Sequence, residues 1–220
     1  MGIISVDRAD HLYWLGRYTE RVYTTVKVYN QSFDMMIDEI VDSYPEFCRK
    51  IDIPNIYNDK DDFMYRYPYD PENPDSIMSN LTRAYDNAIV LRESIGSETL
   101  SYIQLAMYDW NKASQNQAPL LETQKLIDHI MAFWGTADDI IDSEEVRNII
   151  KAGKRIERVD LYARLGMPKK ELIREVDRML PRVRRSGLDF SEEKLAALKN
   201  LVDEPEIDYY RVVDAVENIL

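Results

Sequence analysis

The stretch YWLGRYTERV at residues 13–22 recurs without a gap as IKAGKRIERV at residues 150–159. The identical pairs include Gly16 with Gly153, Glu20 with Glu157, and Arg21 with Arg158. An offset of 137 residues is too long for a solenoid repeat, so it indicates an internal duplication or two helices that meet about a pseudo-twofold axis. The glycine in each copy would let the two helices approach closely.

The adjacent Glu and Arg of each motif contact different neighbours, because successive side chains on a helix point about 100° apart. Glu20 lies beside Gly16 and Arg17 on one face of its helix. A glutamate that faces the core must be paired, since an isolated buried carboxylate is very costly. The motif residues are therefore either a buried ionic network that fixes the register of the helices, or a ligand-binding or catalytic site.

The rest of the chain predicts an all-α fold. Seven Gly and nine Pro are few for 220 residues, and Leu, Ile, Ala, Glu, Lys and Arg are plentiful, which favours long helices. Apolar residues at steps of three and four predict a first helix ending near Tyr44. Later helices are predicted over about 75–95, 97–112, from 119 with a break near Gly135 or Asp142, and over about 143–165, 169–181, 191–202 and 208–219.

We expect a single helical-bundle domain over residues 1–220, with a long and mostly irregular connection over about 48–74 that has room for one short helix. Tyr65, Tyr67 and Tyr69 alternate within that connection. Their spacing favours extended backbone that packs one face onto the helices. Tyrosines flanked by Asp and Arg would equally form a protein-binding surface or a dimer contact, so a homo-oligomer is one possible state.

The charge distribution and the lack of long apolar segments indicate which kinds of partner and which location to expect. A formal net charge of −12 argues against generic nucleic-acid binding. The single cysteine, Cys48, excludes an internal disulfide, and charges interrupt every apolar run, so we expect a soluble, cytoplasmic protein without a membrane span. The basic stretch 169–185 is either a solvated helix face or a local site for an anion or an acidic partner.

Few motifs indicate a cofactor or a metal. The chain has no Gly-Lys phosphate loop, no dinucleotide fingerprint and no nucleophile elbow, and we expect no cofactor. Asp138, Asp139 and Asp142 resemble the acidic Mg²⁺ motif of helical prenyl synthases, but they equally suit the end of a helix. Neither His11 nor His129 belongs to a Glu-x-x-His pair of the di-iron type.

Three separated segments resemble the Alpha-E family, bacterial all-helical proteins named for a Glu-Arg motif. They are LYWLGRYTER at residues 12–21, the stretch 73–98 with its NPDSI opening and IGSE end, and GKRIERVD at 153–160 followed by YARL. Tyr85 and Ile89 stand where the family pattern has arginines. The resemblance and the repeat together imply one ionic or ligand cluster made of Arg17, Glu20, Arg21, Arg83, Asn87, Arg92, Glu98, Glu157 and Arg158.

The resemblance also bears on function, although it brings no catalytic residue to transfer. Alpha-E proteins are associated with ATP-grasp-type ligases and transglutaminase-like proteins, which implies a role in modifying peptide or amide bonds. We therefore expect a non-catalytic accessory or adaptor protein with such a partner. The alternative is an enzyme whose Glu- and Arg-lined pocket acts on an anionic or peptide substrate. Mg²⁺-dependent chemistry at Asp138, Asp139 and Asp142 is a third hypothesis.

Overall fold

A computed structural model describes residues 4–37, 43–115 and 119–220 of the chain, and within these ranges all regular structure is helical. The helices are α1 (Val6–Ile37), α2 (Tyr44–Lys50), α3 (Lys60–Tyr69), α4 (Ile77–Val90), α5 (Arg92–Ile95), α6 (Ser97–Ala113), α7 (Pro119–Ile140), α8 (Glu144–Arg164), α9 (Lys169–Arg184), α10 (Glu192–Asp203) and α11 (Tyr209–Glu217). The predicted all-α fold is confirmed. None of the described helices is long and apolar enough to cross a membrane.

The chain divides into two compact units, one formed by Met1–Glu20 with Ser143–Leu220 and the other by Arg21–Asp142. The boundary falls within α1, and the predicted single domain over residues 1–220 stays a prediction. The sequence also predicts that the first helix continues to about Tyr44, but residues 38–42 lie outside the described part of the chain.

The first unit packs α8, α9, α10 and α11 around one apolar core. Each helix contributes residues at steps of three or four, which line up on a single face. In α8 and α9 these buried residues are Ala152, Ile156, Val159, Ala163, Leu172, Val176, Met179 and Val183. The last three helices lie within three residues of their predicted bounds. Ser191 and Asp208 fix the starts of α10 and α11 by accepting backbone hydrogen bonds.

In the second unit the connection over 48–74 is more helical than predicted, and the extended backbone expected at its tyrosines is wrong. It contains the end of α2 and all of α3, and Tyr65, Tyr67 and Tyr69 lie on a helix rather than on extended backbone. Tyr67 is buried and stacks on Phe63 with ring centroids 5.2 Å apart. Asp59 begins α3 by accepting a hydrogen bond from the Asp62 backbone amide at 2.8 Å.

A proline near the end of α3 explains why the sequence pattern did not predict this helix. Pro68 has no N–H to donate to the Met64 carbonyl one turn earlier, which normally disfavours a helix. Here the Tyr29 hydroxyl donates to that carbonyl at 2.8 Å and satisfies it. The Pro68 carbonyl in turn accepts a hydrogen bond from Trp110 Nε1 at 3.0 Å. Contacts distant in sequence therefore hold this helix together.

In the first unit α1 and α8 cross at Gly16 and Gly153, as the repeat predicts. A methyl group added at Gly16 would overlap the Ile150 carbonyl oxygen, and one added at Gly153 would overlap the Tyr13 carbonyl oxygen. The repeat aligns Tyr13 with Ile150, so the two contacts are reciprocal. The pseudo-twofold axis itself stays a prediction. Only glycine permits backbones to approach this closely.

We predict that Gly16→Ala and Gly153→Ala each lower the free energy of unfolding by about 1–3 kcal/mol or more, because the added methyl group must push two backbones apart. Urea denaturation followed by circular dichroism measures this change. The matched control is Gly135→Ala in α7, where an added methyl group meets no atom within 4 Å, and which should stabilise by about 1 kcal/mol through helix propensity. Equal effects at all three positions would contradict the close crossing.

We also predict that Tyr29→Phe lowers the free energy of unfolding by about 1–3 kcal/mol, because the Met64 carbonyl loses its donor. Tyr65→Phe on α3 removes a hydroxyl from a largely exposed ring and should change little. Thermal and urea unfolding of the two variants test the difference. Equal stabilities would show that water replaces the Tyr29 hydroxyl at no cost.

Candidate functional site

Two buried carboxylates lie where α1 and α8 cross, and each is paired with an arginine of the other helix. Glu20 and Glu157 are 0% and 1% exposed. Arg158 donates to both oxygens of Glu20, at 2.6 Å from Nε and 2.8 Å from Nη2. Arg17 donates from Nε to Glu157 at 2.6 Å. The two ion pairs thus run in opposite directions between the same two helices.

The electrostatics keep both arginines charged. Burial by itself would lower the pKa of Arg17, but the Glu157 carboxylate outweighs it and raises the pKa above its ordinary value. The pKa of Arg158 is raised in the same way by Glu20 against the effect of burial. Arg17 also donates from Nη1 to the Tyr13 hydroxyl at 3.2 Å. Neither guanidinium can act as a base in this setting.

A third buried carboxylate, Glu175 on α9, extends the ionic network within the first unit. It is 1% exposed and accepts hydrogen bonds from Arg155 and Arg178, the latter at 2.9 Å. Arg158 lies 3.7 Å away and Arg174 3.5 Å away. Burial by itself would raise the pKa of Glu175, but the surrounding arginines together hold it below its ordinary value.

Glu175 was not among the residues predicted from the sequence. It lies among the buried residues Leu172, Val176 and Met179 of α9, in a helix whose charged residues are mostly basic. Glu175 could have been recognised in the sequence as an acidic residue on the apolar face of a helix that is rich in arginine. The repeat did not reveal Glu175, because α9 has no counterpart in the first copy of the motif.

The nine predicted cluster residues are distributed over the two units. Arg17, Glu20, Glu157 and Arg158 come together in the first unit, as described. The other five are in the second unit: Arg21, Arg83, Asn87, Arg92 and Glu98. A single cluster of all nine stays a prediction.

Within the second unit, Arg83, Asn87 and Arg92 each donate a hydrogen bond to a residue nearby in the sequence. Arg83 donates to the Pro74 carbonyl at 2.8 Å, and Asn87 donates to the Arg83 carbonyl at 2.7 Å. Arg92 is exposed and donates to the Ser97 hydroxyl at 3.2 Å, across the turn at Gly96. Glu98 is exposed in the first turn of α6. Such contacts suit helix ends and turns.

The acidic motif lies at the end of a helix. Asp138 and Asp139 are exposed in the last turn of α7, and Asp142 is exposed just beyond it. In the described ranges no three His, Cys, Asp or Glu side chains converge to hold a metal ion. His129 instead lies 2.8 Å from the Asp109 carboxylate, between α7 and α6.

The Glu20 and Glu157 pairs fix the position of α1 against α8. Both oxygens of Glu20 accept hydrogen bonds from one guanidinium, and the carboxylates are shielded from water. An acid or base in catalysis must instead reach a substrate proton. The arrangement therefore suits a buried ionic lock between helices better than a proton-transfer site.

We predict that Glu20→Gln and Glu157→Gln each lower the free energy of unfolding by about 3–5 kcal/mol, because each removes the buried carboxylate that a partly buried arginine of the other helix pairs with. Glu192→Gln is the matched control, since it removes an exposed pair with Arg184 in the same unit and should have little effect. Urea denaturation measures all three. Wild-type stability in the two motif variants would contradict a structural role.

Comparison with known proteins agrees with the residue pattern. Residues 8–201 match the model of the Alpha-E family, described as "a predicted alpha-helical domain with a conserved ER motif". No curated protein and no solved structure matches the chain significantly. The match covers most of the 220 residues and includes both copies of the Glu-Arg motif, so the chain belongs to the Alpha-E family.

Proposed function

We propose that this Alpha-E protein is a non-catalytic accessory or adaptor subunit. Its partner would be an ATP-grasp-type ligase or a transglutaminase-like protein that forms or modifies peptide or amide bonds. The observation that carries the proposal is the pairing of the Glu-Arg motif with itself: Glu20 with Arg158, and Glu157 with Arg17. The paired side chains of the motif stabilise the helical fold. A protein whose conserved motif has this structural role is expected to act by binding a partner.

The burial of the motif argues against an enzyme that uses it. Acid-base catalysis needs a carboxyl group within hydrogen-bonding distance of a substrate proton. Glu20 and Glu157 are at most 1% exposed, and their partners Arg17 and Arg158 are 15% and 14% exposed. A substrate would have to break a buried ion pair before it could be bound.

Exposed apolar side chains on two packed helices favour a protein partner. Leu105 and Tyr108 on α6 are 44% and 65% exposed, and Leu121 and Met131 on α7 are 60% and 54% exposed. Tyrosine and methionine are enriched at protein interfaces. The class of the partner rests on the association of the family with ATP-grasp-type ligases and transglutaminase-like proteins.

The test is affinity purification of the tagged chain from cells of the source organism, with the partners identified by mass spectrometry. We expect a ligase or a transglutaminase-like protein, and we expect Leu105→Asp with Tyr108→Asp to lower its recovery about tenfold or more. Gln104→Asp is the matched control, because it adds a negative charge at an exposed neighbour on α6 without removing an apolar side chain.

Two results would overturn this proposal. One is the recovery of no peptide-modifying partner. The other is ATP- or peptide-dependent turnover by the purified chain alone that Glu157→Gln abolishes while the variant stays folded. The second result would establish the enzyme hypothesis in its place.

A further inference from the structure

A polar cleft of about 500 Å³ opens between α8 and α9 within the first unit. Four of its six lining residues are arginines, and the full lining is Arg155, Asp177, Arg178, Pro181, Arg182 and Arg185. The cleft is distinct from the Glu20 and Glu157 pairs. It gathers side chains from the basic stretch 169–185 together with one arginine from the second copy of the repeat.

The positive charge of this arginine cleft exceeds the negative charge beside it. Two carboxylates are close: Glu175, which accepts from Arg155 and Arg178, and Asp177, which lines the cleft. Four guanidinium groups against these two carboxylates leave an excess of two positive charges. The Asp177 carboxylate is also shared with Lys199, whose Nζ lies 2.8 Å from it.

Two of the arginines are held in place by hydrogen bonds to buried side chains. Arg155 donates to buried Glu175, and Arg182 donates from Nη1 to Oδ1 of buried Asn148 at 2.9 Å. A guanidinium has five N–H donors, so each of these arginines keeps further donors for a ligand. Arg185 is exposed, and its side chain forms no hydrogen bond or ion pair with any residue in the described ranges.

Helix electrostatics account for only part of this arrangement. The negative end of the α9 dipole favours cations near the C-terminus of the helix, which suits Arg182 in the last turn and Arg185 just beyond it. It does not explain why these side chains share one cleft with Arg155 from α8. Burial, reinforced by the positive charge of Arg158, lowers the pKa of Arg155 despite the attraction of Glu175. An anion in the cleft would relieve this crowding of like charges.

We propose that the arginine cleft binds a phosphate group. The guanidinium fork matches the oxygens of phosphate in a bidentate geometry. A phosphate or a phosphomonoester carries about 1.5–2 negative charges at neutral pH, which matches the excess of two, whereas a single carboxylate carries one. Free phosphate and a small phosphomonoester share this chemistry. The inference goes beyond the adaptor role, because it concerns a ligand bound by the chain without a partner.

Isothermal titration calorimetry of the purified chain with inorganic phosphate, at low ionic strength and neutral pH, tests the site. We expect saturable binding that weakens about tenfold or more in Arg182→Gln and in Arg185→Gln, since each removes a charge-assisted hydrogen bond. Arg184→Gln is the matched control: it makes the same change of charge one residue away, at a side chain that pairs with Glu192. Its affinity should stay within about twofold of wild type.

Separate titrations with O-phosphoserine and acetate identify the ligand. Tighter binding of the phosphomonoester than of phosphate indicates an esterified ligand, and equal binding indicates that the phosphate group alone is recognised. Acetate should bind at least about tenfold more weakly than either.

Three results overturn the proposal: no saturable phosphate binding, equal binding of acetate, or an equal loss of affinity in Arg184→Gln. Arg185→Gln keeps the test valid, because its side chain has no role in the described packing. All arms use the chain alone, so failure here is independent of failure of the adaptor proposal.

Discussion

The first unit depends on the pairing of two buried carboxylates with arginines at a glycine crossing. Gly16 and Gly153 bring the α1 and α8 backbones into contact, and this close approach places Glu20 and Glu157 out of reach of water. Water cannot compensate a charge there, so Arg158 and Arg17 must. The crossing and the ion pairs are therefore one constraint: a change in the glycines would displace the charges, and a change in the charges would leave the crossing unfavourable.

The same physics distinguishes the ion pairs from the arginine cleft. At Glu20 and Glu157 the opposite charges are close, buried and satisfied. Around Glu175 one buried carboxylate serves several arginines, and the remaining positive charge faces an open cleft. Balanced charge in a closed space holds helices together, whereas unbalanced charge at an opening can attract a ligand. The molecule thus contains both uses of arginine within one unit, and Arg158 lies within 4 Å of carboxylates from both.

Local and periodic signals were enough to predict most of the helices outside the 48–74 connection, and the crossing of α1 and α8. The gapless repeat identified Gly16, Gly153, Glu20 and Glu157, because each has an equivalent residue in the other copy. Other features depend on contacts that no local pattern encodes. Pro68 is expected to break a helix, but the Tyr29 hydroxyl, 35 residues before Met64 in the sequence, donates to the Met64 carbonyl and compensates for the missing N–H. From the sequence, Glu175 is one more charged residue on a basic helix. Its role depends on Arg155 and Arg158, which lie on α8 and pair with it in the folded protein.

The long separation between the two copies of the motif also affects how the chain is made. Arg158 follows Glu20 by 138 residues, and the whole of the second unit lies between them. At about 5–20 residues per second, the ribosome needs on the order of ten seconds to pass from Glu20 to Arg158, and it makes the whole second unit in that interval. Throughout that interval the α1 segment must keep its carboxylate hydrated. The first unit can therefore close only after the second unit has been made and α8 has left the exit tunnel.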